Sequence, residues 1–444
     1  MSAIDGHIVG TTKIVDHGSD KKRWNLAIIG DGYREDELEK YHVDVENFRK
    51  LFSNTLPIKD LYHGINIYRV DVVSAESGAD YSGCGGGKPV TAKTYFDAKF
   101  CSEFSGAPLE RLLTVNTNLA LQVASAQVPK RHMVLCIVNS SKYGGAGGAV
   151  AVCSANESSS KIAIHEIGHT AFSLADEYGG NGAGTPIGEP AKPNVTRVTD
   201  KDKIKWHSWI FKSTPMPSAC DTSGQPSDCV VPATPAKAGD VGTYEGGMYS
   251  NCNVYRPLPS CYMRDYGPFC PVCSTVIRET LMPFLPTRKL GPIGVARDKP
   301  FDDTTKGSRI TQIVLHHGNY IDSMQVSYDT FRVPPRGGNR ESKATVNIEK
   351  GDYIIRVSGS TFSPYGKVVV DTIEFETKNG HKFGPFGHGS HEGSQTPWTP
   401  FEFKAGKGEQ IGGFFGSIGV SYPGQHTIVL ASLGVSVIPL PKDA

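Results

Sequence analysis

The chain has 444 residues, enough for two or three domains with buried cores, a net charge of +1 and 20% charged residues. So even a balance argues against a nucleic-acid or membrane-surface role, and no run of about 18 apolar residues is present to span a bilayer. The 50 glycines and 29 prolines point to a chain rich in loops and strands.

Residues 1–24 are polar, with one short strand expected at Thr11–Val15. Trp24–Ile29 reads as a buried strand ending in Gly30-Asp31-Gly32-Tyr33, and Glu35–Leu51 has helical period with acidic residues early. Asn66–Val73 alternates as a strand, and His132–Val138 is a further apolar strand. Strand, helix, strand in this order predicts a mixed sheet with helices packed on it. Tyr143-Gly-Gly-Ala-Gly-Gly follows, and its glycines permit close approach of a second backbone. Gly145, Gly147 and Gly148 are therefore read as a sheet edge on which an extended substrate pairs, with a surface loop as the alternative. No G-x-x-x-x-G-K-S/T pattern supports phosphate binding.

The next stretch organises the chain. His165-Glu166-Ile167-Gly168-His169 is an H-E-x-x-H motif flanked by Ile162, Ile164, Phe172 and Leu174, as expected of a buried helix. Two histidines four apart are separated by about 40° around a helix and about 6 Å along it, so both imidazoles can hold one metal. Zinc chemistry needs such a pair, an open coordination position and a carboxylate to take a proton from bound water, here Glu166. In a continuous helix Asp176 would lie about 10 Å beyond His169, so the chain must turn back after the motif for Asp176 to act as third ligand. Glu177 is its rival. The other possibility is that both carboxylates orient an imidazole while a ligand comes from elsewhere.

Residues 179–250 lack periodicity and read as long loops over one side of a cleft. Tyr266, three residues past Met263, is a candidate to hydrogen-bond a developing oxyanion, with Tyr249 and Tyr255 as alternatives. The ten cysteines all precede residue 274 and fall mostly as near neighbours: Cys84/Cys101, Cys136/Cys153, Cys220/Cys229, Cys252/Cys261 and Cys270/Cys273. They read as disulfides of an extracellular protein; Cys270-Pro-Val-Cys273 alone could be half a zinc site or a redox pair, but with no second C-x-x-C and other cysteines nearby each is read as bonded to Cys252 or Cys261 rather than to the other. Met1-Ser-Ala-Ile-Asp has no secretory leader pattern, so a mature or recombinant form is expected, and an extracellular location rests on the cysteines.

The motif and its sequel Leu174-Ala-Asp-Glu-Tyr178 resemble the active-site signature of the IgA-peptidase family of metallopeptidases. Leu26–Tyr33, the glycine run, Cys261-Tyr-Met263-Arg and Phe269-Cys-Pro-Val-Cys273 agree with it, so the resemblance covers roughly residues 10–285. It implies an α+β, metzincin-like zinc endopeptidase with His165 and His169 as ligands, Glu166 as general base and Met263 in a tight turn beneath the metal. Where metzincins turn the chain at a glycine, this sequence has Phe172, and the acidic residues come one and two places late.

Residues 286–293 form a Pro-, Lys- and Arg-bearing linker in this reading, dividing a first domain, 1–285, from a second, 294–444. The second reads as short alternating strands. Ile321–Tyr328, Val370–Thr377 and Phe415–Tyr422 are one strand written three times, which implies an all-β pseudo-threefold prism. Nearly all of residues 291–444 is similar to jacalin-related lectins, which bind sugars through a Gly-x-x-x-Asp loop before the last repeat. That loop is absent at Phe415-Gly-Ser-Ile-Gly-Val, while Gly318-Asn319-Tyr320-Ile-Asp322 keeps the pattern in the first repeat. A carboxylate and backbone N–H groups there could grip sugar hydroxyls; a plain turn is the alternative.

The sequence thus reads as a secreted zinc endopeptidase acting on proteins or glycoproteins, with a lectin-like module that targets glycans. The alternative is a lectin or adhesin whose zinc domain is vestigial or structural.

Overall fold

The computed structural model describes residues 5–180, 188–219, 234–297, 299–307, 309–328, 331–339, 342–363, 366–387, 398–420 and 428–441. The chain divides into two compact units, residues 1–59 with 64–284 and residues 60–63 with 285–444.

The first unit is built on a six-stranded sheet in the order Gly6–Val15, Ile65–Ser74, Trp24–Asp31, Met133–Val138, Ala151–Ser154, Gly145–Ala146. Its four inner strands run parallel and the two outermost are antiparallel. Parallel strands need helical crossovers, and helices cover both faces. On one face Ala27, Ile29, Val70 and Val72 pack with Ala120, Val123 and Ala124 of the helix Thr117–Gln127. On the other, Gly30 lies under the ring of Tyr41 from the helix Leu38–Asn54, whose phenol donates to the Ile28 carbonyl at 3.0 Å. A methyl at Gly30 would sit 2.9 Å from that ring, which accounts for the glycine.

The helix Ser159–Phe172 follows the strand Ala151–Ser154 directly and ends at Ser173, a non-glycine residue in the left-handed conformation with φ 54°. The Ser173 and Leu174 N–H groups both bond back to the Gly168 carbonyl. This cap reverses the chain, so that Asp176 returns toward the histidines without the glycine that metzincins use.

The disulfide reading holds in part. Cys84 and Cys101 are bonded, and Cys252 is also in a disulfide. Cys136, Cys153, Cys261, Cys270 and Cys273 are buried free thiols, against expectation. Strand register explains the first two: Cys136 pairs with Val152 and Ile137 with Cys153, so alternate pleating sends the two thiols to opposite faces. Cys220 and Cys229 lie outside the described residues.

Among the described residues of the second unit every pairing is antiparallel, and the strands form three sheets. The three repeated segments fall one in each: Ile321–Tyr328, Val369–Thr377 and Glu409–Val420. Tyr422, the end of the third repeat, lies outside the described residues. One core joins all three sheets through Met324, Val326, Ile373, Phe375, Phe414 and Leu433. Residues expected as a linker mostly belong to the strand Arg288–Gly294, which pairs with Ile428–Pro439. Exposed Lys, Arg and Pro along an edge strand imitate a linker in sequence.

Candidate metal centre

The two histidines of the motif sit one turn apart on the helix Ser159–Phe172, and each ring is held by its inner nitrogen. His165 Nδ1 lies 3.2 Å from the Tyr262 carbonyl and His169 Nδ1 2.8 Å from that of Leu174. Those acceptors favour the Nδ1–H tautomer and leave the Nε2 lone pairs for a third party. The two Nε2 atoms are 3.1 Å apart, and Asp176 Oδ1 is 3.0 Å from that of His165 and 3.3 Å from that of His169. Two imidazole nitrogens and a carboxylate oxygen, converging with their other polar contacts satisfied, are a donor set that fits zinc.

Burial opposes ionisation of Asp176, but the hydrogen bonds from both histidines outweigh it and hold the carboxyl well below its usual range. Burial likewise works against the His169 imidazolium, and Asp176 overrides it, raising the ring to about 9.

Glu166 lines the same cleft, and a methyl at Gly145 would come within 3.0 Å of its Oε1. Burial pushes its carboxyl up, which suits a group that must take and return a proton. The cleft encloses about 860 Å³. The strand Gly145–Ala146 is the outermost of the sheet, as the sequence predicts, and Gly147 and Gly148 continue along the cleft. Gly147 has room for no side chain, because a Cβ would lie 2.6 Å from that of His169. The Gly148 N–H donates to Thr170 Oγ1 at 3.2 Å. At Gly145 the backbone is already engaged: its N–H donates to the Arg111 carbonyl and its carbonyl accepts from Leu113. The strand order alone would have offered that residue to a substrate.

Met263 is fully buried and packs against Gly168, where a Cβ would be 2.5 Å from its sulfur. Met263 lies in the one-turn helix Tyr262–Asp265 rather than in a tight turn, and its carbonyl accepts from the Glu177 N–H at 2.9 Å, so this segment supports both the helix Ser159–Phe172 and the stretch carrying Asp176. Tyr266 stands edge-on to His165 with ring centroids 5.8 Å apart, and its hydroxyl is 2.7 Å from that of Tyr143. Burial raises its phenol, so at neutral pH it is a neutral donor.

The arrangement also includes residues that spacing does not single out. Tyr178 stacks on His165 at 6.5 Å, and its hydroxyl meets Tyr249 at 3.3 Å and Arg111 at 3.5 Å. Arg111 comes from a loop far upstream, without a motif to mark it. Tyr255, an alternative to Tyr266, pairs instead with Thr196. Glu177 turns away from the histidines toward three cysteines.

In the second unit, Gly318, Asn319 and Tyr320 form the turn between Ile310–His317 and Ile321–Tyr328, and the Gly318 N–H donates to the Tyr320 carbonyl. Tyr320 stacks on Phe362 at 6.3 Å. Asp322 is only 2% exposed.

The family model for IgA Peptidase M64 matches residues 12–227, and that for the jacalin-like lectin domain matches residues 290–422. The chain joins an IgA peptidase M64 domain to a jacalin-like lectin domain. The M64 match ends before Met263 and the cysteines of residues 252–273, although the first unit includes them. On the lectin side, agglutinin alpha chain of Artocarpus integer is 34% identical over 129 residues, 27% of this chain and 90% of its own length. Jacalin-related lectin 3 of Arabidopsis thaliana is 29% identical over 163 residues, 35% of this chain, which spans only 24% of that protein. Among solved structures, a mannose-binding jacalin-related lectin from Ananas comosus is 24% identical, with TM-score 0.29, covering 34% of this chain and 98% of its own. Frutalin from Artocarpus incisa is 27% identical, with TM-score 0.28, over 34% of this chain and 95% of its own.

Proposed function

We propose that the M64 domain is a metzincin-like, zinc-dependent endopeptidase and that the jacalin-like domain is a β-prism that brings it to glycosylated protein. The observation that carries the reading is the convergence of His165 Nε2, His169 Nε2 and Asp176 Oδ1 beside Glu166 in one cleft. A zinc ion held by those three residues would polarise the scissile carbonyl and acidify a water molecule. Glu166 takes the proton of the attacking water and passes it to the leaving amine. Tyr266 donates its phenolic hydrogen to the oxyanion, and the edge from Ala146 to Gly148 aligns an extended substrate. Gly318 to Tyr320 is the sugar-contacting turn of the second domain, with Asp322 buried in the strand that follows it. Cys84–Cys101 favours secretion, since such bonds persist in oxidising compartments.

The test is cleavage of a protein mixture by the full chain, with chelator and after zinc is restored, beside the Glu166→Ala variant. Cleavage should vanish with chelator, return with zinc, and fall by about 10²–10⁴-fold in the variant while zinc stays bound. Undiminished hydrolysis by Glu166→Ala would exclude the mechanism.

A further inference from the structure

Immediately after Asp176 the chain enters a second cluster. Cys261, Cys270 and Cys273 converge on Glu177, with one ligand atom from each residue and all four atoms within 4.8 Å of one another. Cys273 Sγ is 3.1 Å and Cys270 Sγ 3.9 Å from Glu177 Oε1, and Cys261 Sγ is 3.8 Å from Cys273 Sγ. A disulfide brings two sulfurs to about 2.05 Å. Tetrahedral zinc with Zn–S bonds of about 2.3 Å places sulfurs about 3.8 Å apart. The spacing observed is that of ligands around an ion.

The carboxylate makes the same point independently. Glu177 is 0% exposed, and its Oε2 has no hydrogen-bond partner among the described residues. Asn194 Nδ2 fixes Oε1 from one side at 2.9 Å. A fully buried carboxylate with an unsatisfied oxygen is unfavourable unless it takes up a proton or a cation neutralises it, and a cation would also give the free oxygen a partner. Backbone donors are also aimed at the sulfurs: the Cys270 N–H points to Cys261 Sγ at 3.3 Å and the Cys273 N–H to Cys270 Sγ at 3.4 Å. Such donors favour thiolates. Cys270 caps the helix Pro271–Leu281, so the Cys-Pro-Val-Cys segment presents both thiols from a rigid first turn.

We propose that Cys261, Cys270, Cys273 and Glu177 bind a second zinc ion, structural in role and separate from the centre at His165 and His169. Four protein ligands complete a tetrahedron and leave no open position for substrate. The ion ties three segments together: the turn carrying Asp176, the start of the short helix Tyr262–Asp265 that holds Met263, and the start of the helix Pro271–Leu281. Cys261 and Glu177 flank the backbone bond from the Glu177 N–H to the Met263 carbonyl. The site therefore clamps the floor beneath the histidine pair.

The test uses the full chain, purified without chelator, in wild-type form and as the His165→Ala/His169→Ala double variant. Zinc is counted by mass spectrometry, and a cobalt-loaded sample is examined for thiolate-to-cobalt charge-transfer absorption. The double variant should keep one zinc per chain and show that absorption with cobalt. Cys270→Ser/Cys273→Ser should lose both features, and if that variant does not fold, the double histidine variant still decides. Mapping of unreduced protein should find Cys261, Cys270 and Cys273 as thiols that react only after zinc is stripped. A double histidine variant without metal, or a disulfide within this trio, would overturn the proposal. Wild-type protein that shows the cobalt–thiolate band but cleaves nothing supports this site and refutes the peptidase reading. One zinc per chain that disappears with the histidines refutes this site and leaves the peptidase reading standing.

Discussion

Side chains too small to notice set the geometry of the centre as firmly as the ligands do. Gly147 is the sharpest case, because a Cβ there would stand 2.6 Å from His169 Cβ and 3.1 Å from two atoms of its ring. Gly147→Ala must therefore displace either the imidazole or the edge of the sheet. Groups that only orient metal ligands commonly change affinity by about 10–100-fold. A loss of that size in zinc affinity, read by competition with a chromogenic chelator, is expected for Gly147→Ala, with the fold retained by circular dichroism. Unchanged affinity would show that the loop yields instead. His165, Glu166 and His169 were legible because an interval of four residues is one helical turn and zinc chemistry demands it. Arg111 was not, because its place depends on which loops the sheet brings together; Tyr178 stood in the signature, but its stacking on His165 is not written in spacing.

At the scale of elements, the strand Trp24–Asp31 shows how one buried acid organises its surroundings. The Asp31 carboxylate accepts from Ser74 Oγ, Thr94 Oγ1 and the N–H groups of Phe96 and Ala98, pinning the loop that follows the neighbouring strand. Burial pushes its pKa up to about 6, although these donors pull the other way. The folded state thus holds the proton more tightly than the unfolded chain does. That contribution to stability is complete below about pH 4 and is lost as pH rises through about 6. Against Asp31→Asn, which does not titrate, wild-type protein should lose roughly 3 kcal/mol between pH 4 and pH 7.5 in urea unfolding. The absent acceptor oxygen in the variant adds an offset independent of pH. A flat difference across that range would contradict the burial argument. The strands Trp24–Asp31, Ile65–Ser74 and Met133–Val138 and the helix Leu38–Asn54 were readable because hydrophobic period and turn residues agree along them, whereas the helix Thr117–Gln127 was not read. The strand Arg288–Gly294 was not, because a solvated edge strand needs no apolar alternation, and its partner, Ile428–Pro439, lies far along the chain.

Across the whole molecule, the two units have separate hydrophobic cores, one drawn from residues 27–152 and the other from residues 301–437. A chain ending at Phe284 is expected to cleave bare peptide as the full chain does, and to lose its advantage on glycoprotein. Comparison of kcat/KM on a glycosylated substrate and its deglycosylated form gives the answer. Equal activity of the short and full chains on both substrates would remove the targeting role from the second domain. The repeat of one strand at three places announced that domain, since each repeat occupies its own sheet and none can cover its face alone.

The sequence by itself determined that His165 and His169 share one helix face with Glu166 beside them, much of the sheet that carries that helix, and the threefold repeat, because each is written in local spacing. It could not choose between Asp176 and Glu177, which are neighbours with the same chemistry. The left-handed cap at Ser173 decided that, turning Asp176 onto the imidazoles and Glu177 onto the cysteines. Nor could it say which thiols are bonded: strand register separates Cys136 from Cys153, and a buried carboxylate gathers Cys261, Cys270 and Cys273. Those outcomes rest on contacts between distant segments, which only packing of the chain in three dimensions brings within reach.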